Sequence, residues 1–360
     1  MSEVTTKVAR DEDLEQLRRD SMLSSSVGIP LFSSLPAMVF RAHDRSEWFE
    51  VWGRILGGAQ AGLLREGMRK LGIRDDEPPA VQAGKYHYLS NILGGLRLEY
   101  IEESEKKVWL RYRGPYQMMP SISAIAFPPG LRRHQFSTWH ARNRHFLGYP
   151  RLGWVYTKTA LEGDPYDEGY FIEYDHDIDD VIADGSAVVR HTPEFDPAKA
   201  PTLDPVQWPE SRQLKARRNY ALGYVAQSTQ ALLDVFGELE TCHMIDTAVR
   251  ILSMQLCRDW IAQMEITGTD FDACLTLVTG LMGALGQRYS VERLGDRYVR
   301  LVVPRARPFD TFPVEVRAAY SPLYETCIRF LSGRVRWTFT GGAEGEPDVF
   351  EMEEADHWLW

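Results

Sequence analysis

Two stretches decide the fold: LGGLRLEYIEESEKKVWLRYRGPY at residues 93–116 and LGQRYSVERLGDRYVRLVVPRARPF at residues 285–309. In the first, Leu96, Leu98 and Tyr100 alternate with polar neighbours, as do Val108, Leu110 and Tyr112, around the polar turn EESEKK. Alternation with period two on both sides of a turn reads as a β-hairpin with one buried face. In the second stretch, alternating strands flank a turn at Gly295–Asp296. Each stretch opens on a Leu-Gly pair that ends a helix. Each closes on an arginine, a proline and an aromatic: Arg113, Pro115 and Tyr116, then Arg307, Pro308 and Phe309.

The likeness extends outward in both directions. Upstream, Arg54-Ile55-Leu56 followed by Met68 is echoed by Arg250-Ile251-Leu252 followed by Met264. Downstream, HFLGYPRLGWVYTKTALEGDPYDEGYFIEYDHD (145–177) parallels RFLSGRVRWTFTGGAEGEPDVFEMEEADHW (329–358). Both carry Phe-Leu, a strand tryptophan (Trp154, Trp337), a Glu-Gly-acidic turn and a closing Asp-His. Ordered landmarks at a long period mark an internal duplication. The expected fold class is α+β, with two repeated units, each an antiparallel sheet covered by helices. The expected boundaries are an irregular N-terminal arm at 1–39, a first repeat at 40–180, a Pro-rich linker at 181–213, and a bridging helix with the second repeat at 214–360. Pro193, Pro197, Pro201, Pro205 and Pro209 keep the linker extended. The bridging helix should end at Gly237, and it has no counterpart in the first copy.

Residues 46–72 form the clearest helix, with Trp48, Trp52, Ile55, Leu56, Ala59, Leu63 and Leu71 at three- and four-residue spacing. Ser46 is the expected cap and Gly72 the stop. The Gly57–Gly58 pair weakens a helix interior, so another backbone is expected to pack closely there.

With 360 residues, 44% hydrophobic and 26% charged, the chain is an ordinary globular protein of more than one domain. Its 41 Lys and Arg against 51 Asp and Glu leave a formal charge of −10, which disfavours nucleic acid or an anionic membrane as partner. No run approaches the ~18 apolar residues of a membrane span, and the acidic first residues do not read as a signal peptide. Cys242, Cys257, Cys274 and Cys327 lack any CxxC pairing and read as reduced core thiols, so a cytoplasmic location is expected.

A helix ending LREGMRKLG, a second helix, a hairpin containing GDRYVRL and a closing Pro-containing turn together resemble the V4R superfamily. Its relatives include heme-NO-binding-like domains and L-2-amino-thiazoline-4-carboxylic acid hydrolase-like proteins. The resemblance implies a small molecule enclosed between helices and a curved antiparallel sheet. Two departures narrow it. The hydrolase-like relatives tend to carry Cys-Pro after the hairpin, where this chain has Arg307-Pro308. The heme branch's Tyr-x-Ser-x-Arg is replaced by Tyr289-Ser290-Val291-Glu292-Arg293, so no heme is expected.

His134, His140 and His145 form the densest histidine group. On one helix the first and last would stand ~16 Å apart with His140 pointing elsewhere, so no shared metal is expected. A single imidazole reaching a pocket could still act as general acid or base. Asp175-His176-Asp177 with Asp179-Asp180 reads as a solvated acidic loop, and Cys242 and the adjacent His243 diverge by ~100° on a helix. Nucleophile-elbow, zincin and phosphate-loop motifs are absent. Arg113 and Arg307 end strands where a guanidinium could clamp a carboxylate, or they are surface arginines. Tyr86-His87-Tyr88, Trp139, Trp154 and Trp337 fill a core or line an apolar cavity.

The function expected is a small-molecule enzyme of hydrolase or lyase type acting on an apolar, aromatic or heterocyclic substrate. The alternatives are a non-catalytic binding or sensor protein and a purely structural one. The first copy holds more histidine and aromatic side chains, so the site is placed there. The catalytic candidates are His134, His140 and His87. The ligand-binding candidates are Tyr86, Tyr88, Arg113, Trp139, Trp154 and Arg307. No cofactor and no metal are expected. The expected partner is a small-molecule ligand, and a homodimer stays open.

Overall fold

The computed structural model of the chain describes residues 14–113, 127, 130–305, 309–343 and 345–359, without the side chains of 58–63. In chain order its elements are α1 (Leu14–Ala42), α2 (Arg45–Lys70), α3 (Pro79–Leu93), β1 (Leu98–Ser104), β2 (Lys107–Tyr112), α4 (Leu131–Phe136), a π-helical turn (Ser137–Ala141), α5 (Asn143–Leu147), β3 (Leu152–Lys158), β4 (Asp167–Glu173), α6 (Asp180–Ala183), β5 (Asp184–Ser186), α7 (Glu210–Gln263), α8 (Phe271–Ala284), β6 (Ser290–Gly295), β7 (Tyr298–Val303), α9 (Val314–Ala319), α10 (Pro322–Leu331), β8 (Val335–Thr340) and β9 (Asp348–Glu354). The fold is α+β, with two sheets that share the order of their first four strands, the first sheet carrying a fifth. The first is β1-β2-β4-β3-β5 and the second β6-β7-β9-β8. All pairs are antiparallel except β3 with β5.

The chain divides into two compact units. One is Phe40–Arg217; the other joins residues up to Val39 with Arg218–Trp360. The stretch expected to be an irregular arm is helical from Leu14, because its apolar residues bury in the second of these units: Leu17, Val27, Leu31, Phe32, Leu35 and Val39 are almost fully covered. Gly28 lets α1 approach α7, where an added Cβ would stand 3.1 Å from Ala221 Cβ. Pro30 has no amide to offer the carbonyl of Ser26, and the Trp260 indole donates to that oxygen at 3.1 Å instead. Among the described residues α1 alone is long and apolar enough to cross a membrane, which corrects the expectation that no run qualifies. Yet 78% of its most apolar window lies inside the protein.

α7 breaks at Gly237, whose φ of 74° and ψ of −177° are not helical. Residues 238–263 then match α2 in the repeat. Residues 210–236 precede them as α1 precedes α2, so the helix expected to lack a counterpart has one in chain order. The stretch expected to be an extended linker at 181–213 is mixed: it contains the end of α6, a 3-10 turn at Pro197–Lys199 and the first residues of α7, and it does not lie free. Residues 184–186 add the parallel strand β5, and the Trp208 indole donates to the Lys70 carbonyl at 2.8 Å.

In the Phe40–Arg217 unit, α2 starts at Asp44 rather than Ser46. The Asp44 carboxylate accepts from the amides of Ser46 and Glu47, while Glu47 returns a bond to the Asp44 amide. What faces Gly57 is side chain and not backbone: an added Cβ would find Arg142 Nη1 at 3.7 Å and Thr138 Cγ2 at 3.9 Å. That space is sufficient, so Gly57→Ala is expected to stabilise the unit by up to ~1 kcal/mol. A urea midpoint that falls instead would show that the gap is needed.

Pairing register puts Leu98, Tyr100, Val108, Leu110, Tyr112, Trp154, Tyr156, Asp167, Gly169 and Phe171 on one face of the first sheet. Helix α3 lies against β1, β2 and β4. Gly84 makes this approach close: a Cβ there would stand 2.4 Å from Val108 Cγ1 and 3.2 Å from Tyr100. His87, three residues on, shares that helix face.

Both units repeat one buried ion pair. Arg132 of α4 meets Asp167, the first residue of β4, at 2.7 Å, and Arg317 of α9 meets Asp348, the first residue of β9, at 2.8 Å. Each aspartate stands opposite the last residue of the neighbouring hairpin strand, Tyr112 of β2 or Val303 of β7.

Candidate functional site

The inner layer of the Phe40–Arg217 unit holds a cluster of neutral polar groups walled by rings. His87, from α3, and His140, from the π-helical turn, stack at 4.1 Å between ring centroids with planes 18° apart. His140 also lies 4.4 Å from Trp154 and 4.7 Å from Phe136, and Phe171 stacks on both imidazoles at 5.4 and 5.6 Å. Gly169 makes room for Trp154, since a Cβ there would fall 2.5 Å from its Cζ2.

Two hydrogen bonds order the polar edge. Asn143 Nδ2 meets His87 Nε2 at 2.6 Å, and the Tyr112 hydroxyl meets His140 Nε2 at 2.8 Å. His87 and Asn143 are wholly buried and His140 is 5% exposed. Burial pushes the His87 imidazole down to about 3, partly offset by the Asn143 bond. Burial, then the neighbouring His87 and Arg132, push His140 well below the usual histidine range. Both rings are therefore neutral at pH 7 and act as hydrogen-bonding groups. The positive charge of Arg132, whose guanidinium lies 4.7 Å over Phe136, is spent on Asp167.

Among the described residues His87 Nδ1, His140 Nδ1, Asn143 Oδ1 and Trp154 Nε1 are buried and have no hydrogen-bond partner. An orphaned buried polar atom costs ~1–3 kcal/mol, so four around one ring cluster mark it out, a buried water or a ligand group being the usual means of satisfying such atoms. The second unit supplies a control. There the ring cluster is Tyr324, Trp337 and Phe350, with centroids 5.1–5.8 Å apart. The Tyr324 hydroxyl donates to Gln287 Oε1 at 2.6 Å and the Trp337 indole donates to Ser321 Oγ at 2.9 Å. The polar atoms of that ring cluster are satisfied by its own chain, although Ser21 Oγ, Ser24 Oγ and Ser228 Oγ of the same unit are also buried without a partner.

No family model, no curated protein and no solved structure matches this chain.

The structure brings together only some of the residues singled out in the sequence. His87, His140 and Trp154 meet, and Trp139 joins them edge-on to His87 at 5.9 Å. His134 is elsewhere: its Nε2 bonds the Phe49 carbonyl at 2.8 Å and its ring packs on Phe49. Tyr86 touches His87 edge-on but packs chiefly with Leu64, Met68, Ile73 and Leu147, and burial raises its hydroxyl to about 12. Tyr88 packs on Tyr100. Arg113 sits on the opposite sheet face, half exposed, 3.2 Å from Glu99 and 5.3 Å over Tyr166, so it does not clamp anything in the cluster. Arg307, with Pro115, Tyr116 and Pro308, lies outside the described residues. His145 is on the surface against Asp180. Cys242 is partly buried, and Cys257, Cys274 and Cys327 are buried free thiols. Among the described residues no group of three His, Cys, Asp or Glu could hold a metal ion.

Sequence reasoning missed Asn143, Tyr112, Phe136 and Phe171. Asn143 had a usable signal, because it stands three residues after His140 and such pairs share a helix face. Tyr112 and Phe171 were legible only as inward strand positions.

Proposed function

We propose that the Phe40–Arg217 unit binds a small uncharged aromatic or heterocyclic molecule between its helices and its sheet, with His87, His140 and Asn143 holding it and Trp154, Phe136 and Phe171 walling it. One observation carries this: the orphaned atoms of a buried, ring-walled cluster in one unit, set against the satisfied cluster of the other. A neutral, apolar-walled site with a few convergent polar groups suits an uncharged ligand, since a buried charge without a counter-ion is costly. The V4R resemblance would put a ligand in the same layer. The cluster is enclosed, so a ligand reaches it through local opening, for which the π-helical turn is an apt hinge.

A thermal-shift screen of small uncharged heterocycles against charged counterparts tests this. A member of the uncharged set is expected to stabilise the protein, by ~2.7 kcal/mol at a hundredfold excess over Kd. If no uncharged compound stabilises it, the proposal is wrong. A second reading, hydrolase or lyase chemistry on that ligand, is favoured by the 2.8 Å contact of Tyr112 and His140, a pair across which a proton could pass. Turnover by the wild type that is lost in Tyr112→Phe would establish it.

A further inference from the structure

We propose that residues 131–147 form an acid-released flap, keyed shut by neutral histidines and hinged at a glycine on either side. The inference does not depend on whether the ring cluster takes a ligand. The segment runs through α4, the π-helical turn and α5, between Gly130 (φ 87°) and Gly148 (φ 73°), both left-handed. Beside these glycines its ends are anchored. Arg132 holds Asp167 at 2.7 Å, and Arg65 Nη2 donates to the Leu147 carbonyl at 2.6 Å. Between the anchors an imidazole mediates one bond to each of three elements. His134 Nε2 bonds the Phe49 carbonyl of α2 at 2.8 Å, and His140 Nε2 bonds the Tyr112 hydroxyl of β2 at 2.8 Å. Asn143 Nδ2 bonds the His87 ring of α3 at 2.6 Å.

A proton on His87 or His140 finds no counter-ion. The two rings face each other at 4.1 Å, with Arg132 and the Tyr112 hydroxyl around them. The nearest carboxylate, Asp167, is committed to Arg132 and to the Ala160 amide at 2.8 Å. From β3, Tyr156 meets only the Arg133 carbonyl and Ser137 Oγ. His134 has Arg142 and Asp184 nearby, which oppose each other, and it donates its bond to Phe49 in either charge state. His87 and His140 are therefore the trigger. On the outer side Arg144 and His145 meet Asp180, where water screens the contact. Once the segment swings out, both trigger rings reach water and their ordinary value of ~6.5. Below that pH the open form binds protons that the closed form refuses, so opening rises by up to about tenfold per pH unit for each ring. The corresponding segment of the other unit, 314–331, contains no histidine.

Amide hydrogen exchange of the full chain at pH 7, 6 and 5, corrected for the intrinsic pH dependence of exchange, tests this. Protection within 133–146 is expected to fall about a hundredfold from pH 7 to pH 5. At pH 5 it should lie at least about tenfold below that of β2 and β4, and 314–331 should show no such fall. In His140→Gln the fall should shrink to about tenfold. Should that variant not fold, the wild-type comparison alone decides. A fall of less than about threefold, or an equal fall in wild type and His140→Gln, overturns the proposal. So does a single protection shared at pH 5 by the segment and the strands, since acid would then loosen the whole unit and not a flap.

Discussion

Arg317→Met is expected to cost the unit containing Arg218–Trp360 about 3–5 kcal/mol, because it strands a buried carboxylate. Arg317 donates to both oxygens of Asp348, at 2.8 and 2.9 Å, and also to the carbonyls of Phe312 at 2.6 Å and Gly342 at 3.1 Å. Asp348 accepts in turn from the Gly342 amide at 3.0 Å. The pair thus ties β9 to α9 and to the chain on either side of it. Adding Asp348→Leu to the variant should recover part of the loss, since the unpaired charge goes with it. Urea unfolding of the two variants measures this, and a cost for Arg317→Met below about 1 kcal/mol would place the pair with ordinary surface bridges.

Acid should weaken the protein through His87 well above the range where carboxylates titrate. The folded value is about 3 against 6.5 unfolded, so below pH 6.5 the unfolded chain binds a proton that the folded chain refuses. The sign follows: stability is full above pH 6.5 and is lost at ~1.4 kcal/mol per pH unit as the pH falls toward the folded value. Between pH 6.5 and 5 His87 alone should remove ~2 kcal/mol, and His140 acts in the same direction. His87→Phe removes that share of the slope, whatever it does to stability at pH 7.5. Equal slopes in wild type and variant between pH 7 and 5 would show that His87 gains a proton in the fold. A ligand that bonds the neutral rings should hold the folded state longer against acid.

Much of the fold was legible. The two alternating stretches became the hairpins β1–β2 and β6–β7, and the α+β repeat appears as two sheets whose first four strands follow one order. Periodicity located α2, and glycine ended helices where predicted, as at Gly72 (φ 75°) and Gly237. Other elements were not legible, for physical reasons. The stretch SMLSSSVGIPLFSSLPAM looks broken by serine and proline, yet burial of its apolar face and the Trp260 bond to Ser26 hold it helical. Asp44 displaced Ser46 as cap because Glu47 stands at the reciprocal position. The candidate site was half legible: His87, His140 and Trp154 were named, whereas His134 and Arg113 found partners elsewhere.

Hydrophobic alternation and glycine placement are local properties, so they carried the hairpins, the repeat and the helix breaks. Which histidines meet is not local: His87 and His140 are 53 residues apart. Their stacking depends on Gly84 admitting α3 to the sheet, on Gly169 admitting Trp154, and on one π-helical turn aiming His140 inward. Packing also assigned the Arg132–Asp167 and Arg317–Asp348 pairs, whose partners lie 35 and 31 residues apart with no motif to join them. The same packing separated a ring cluster with open hydrogen bonds from one without.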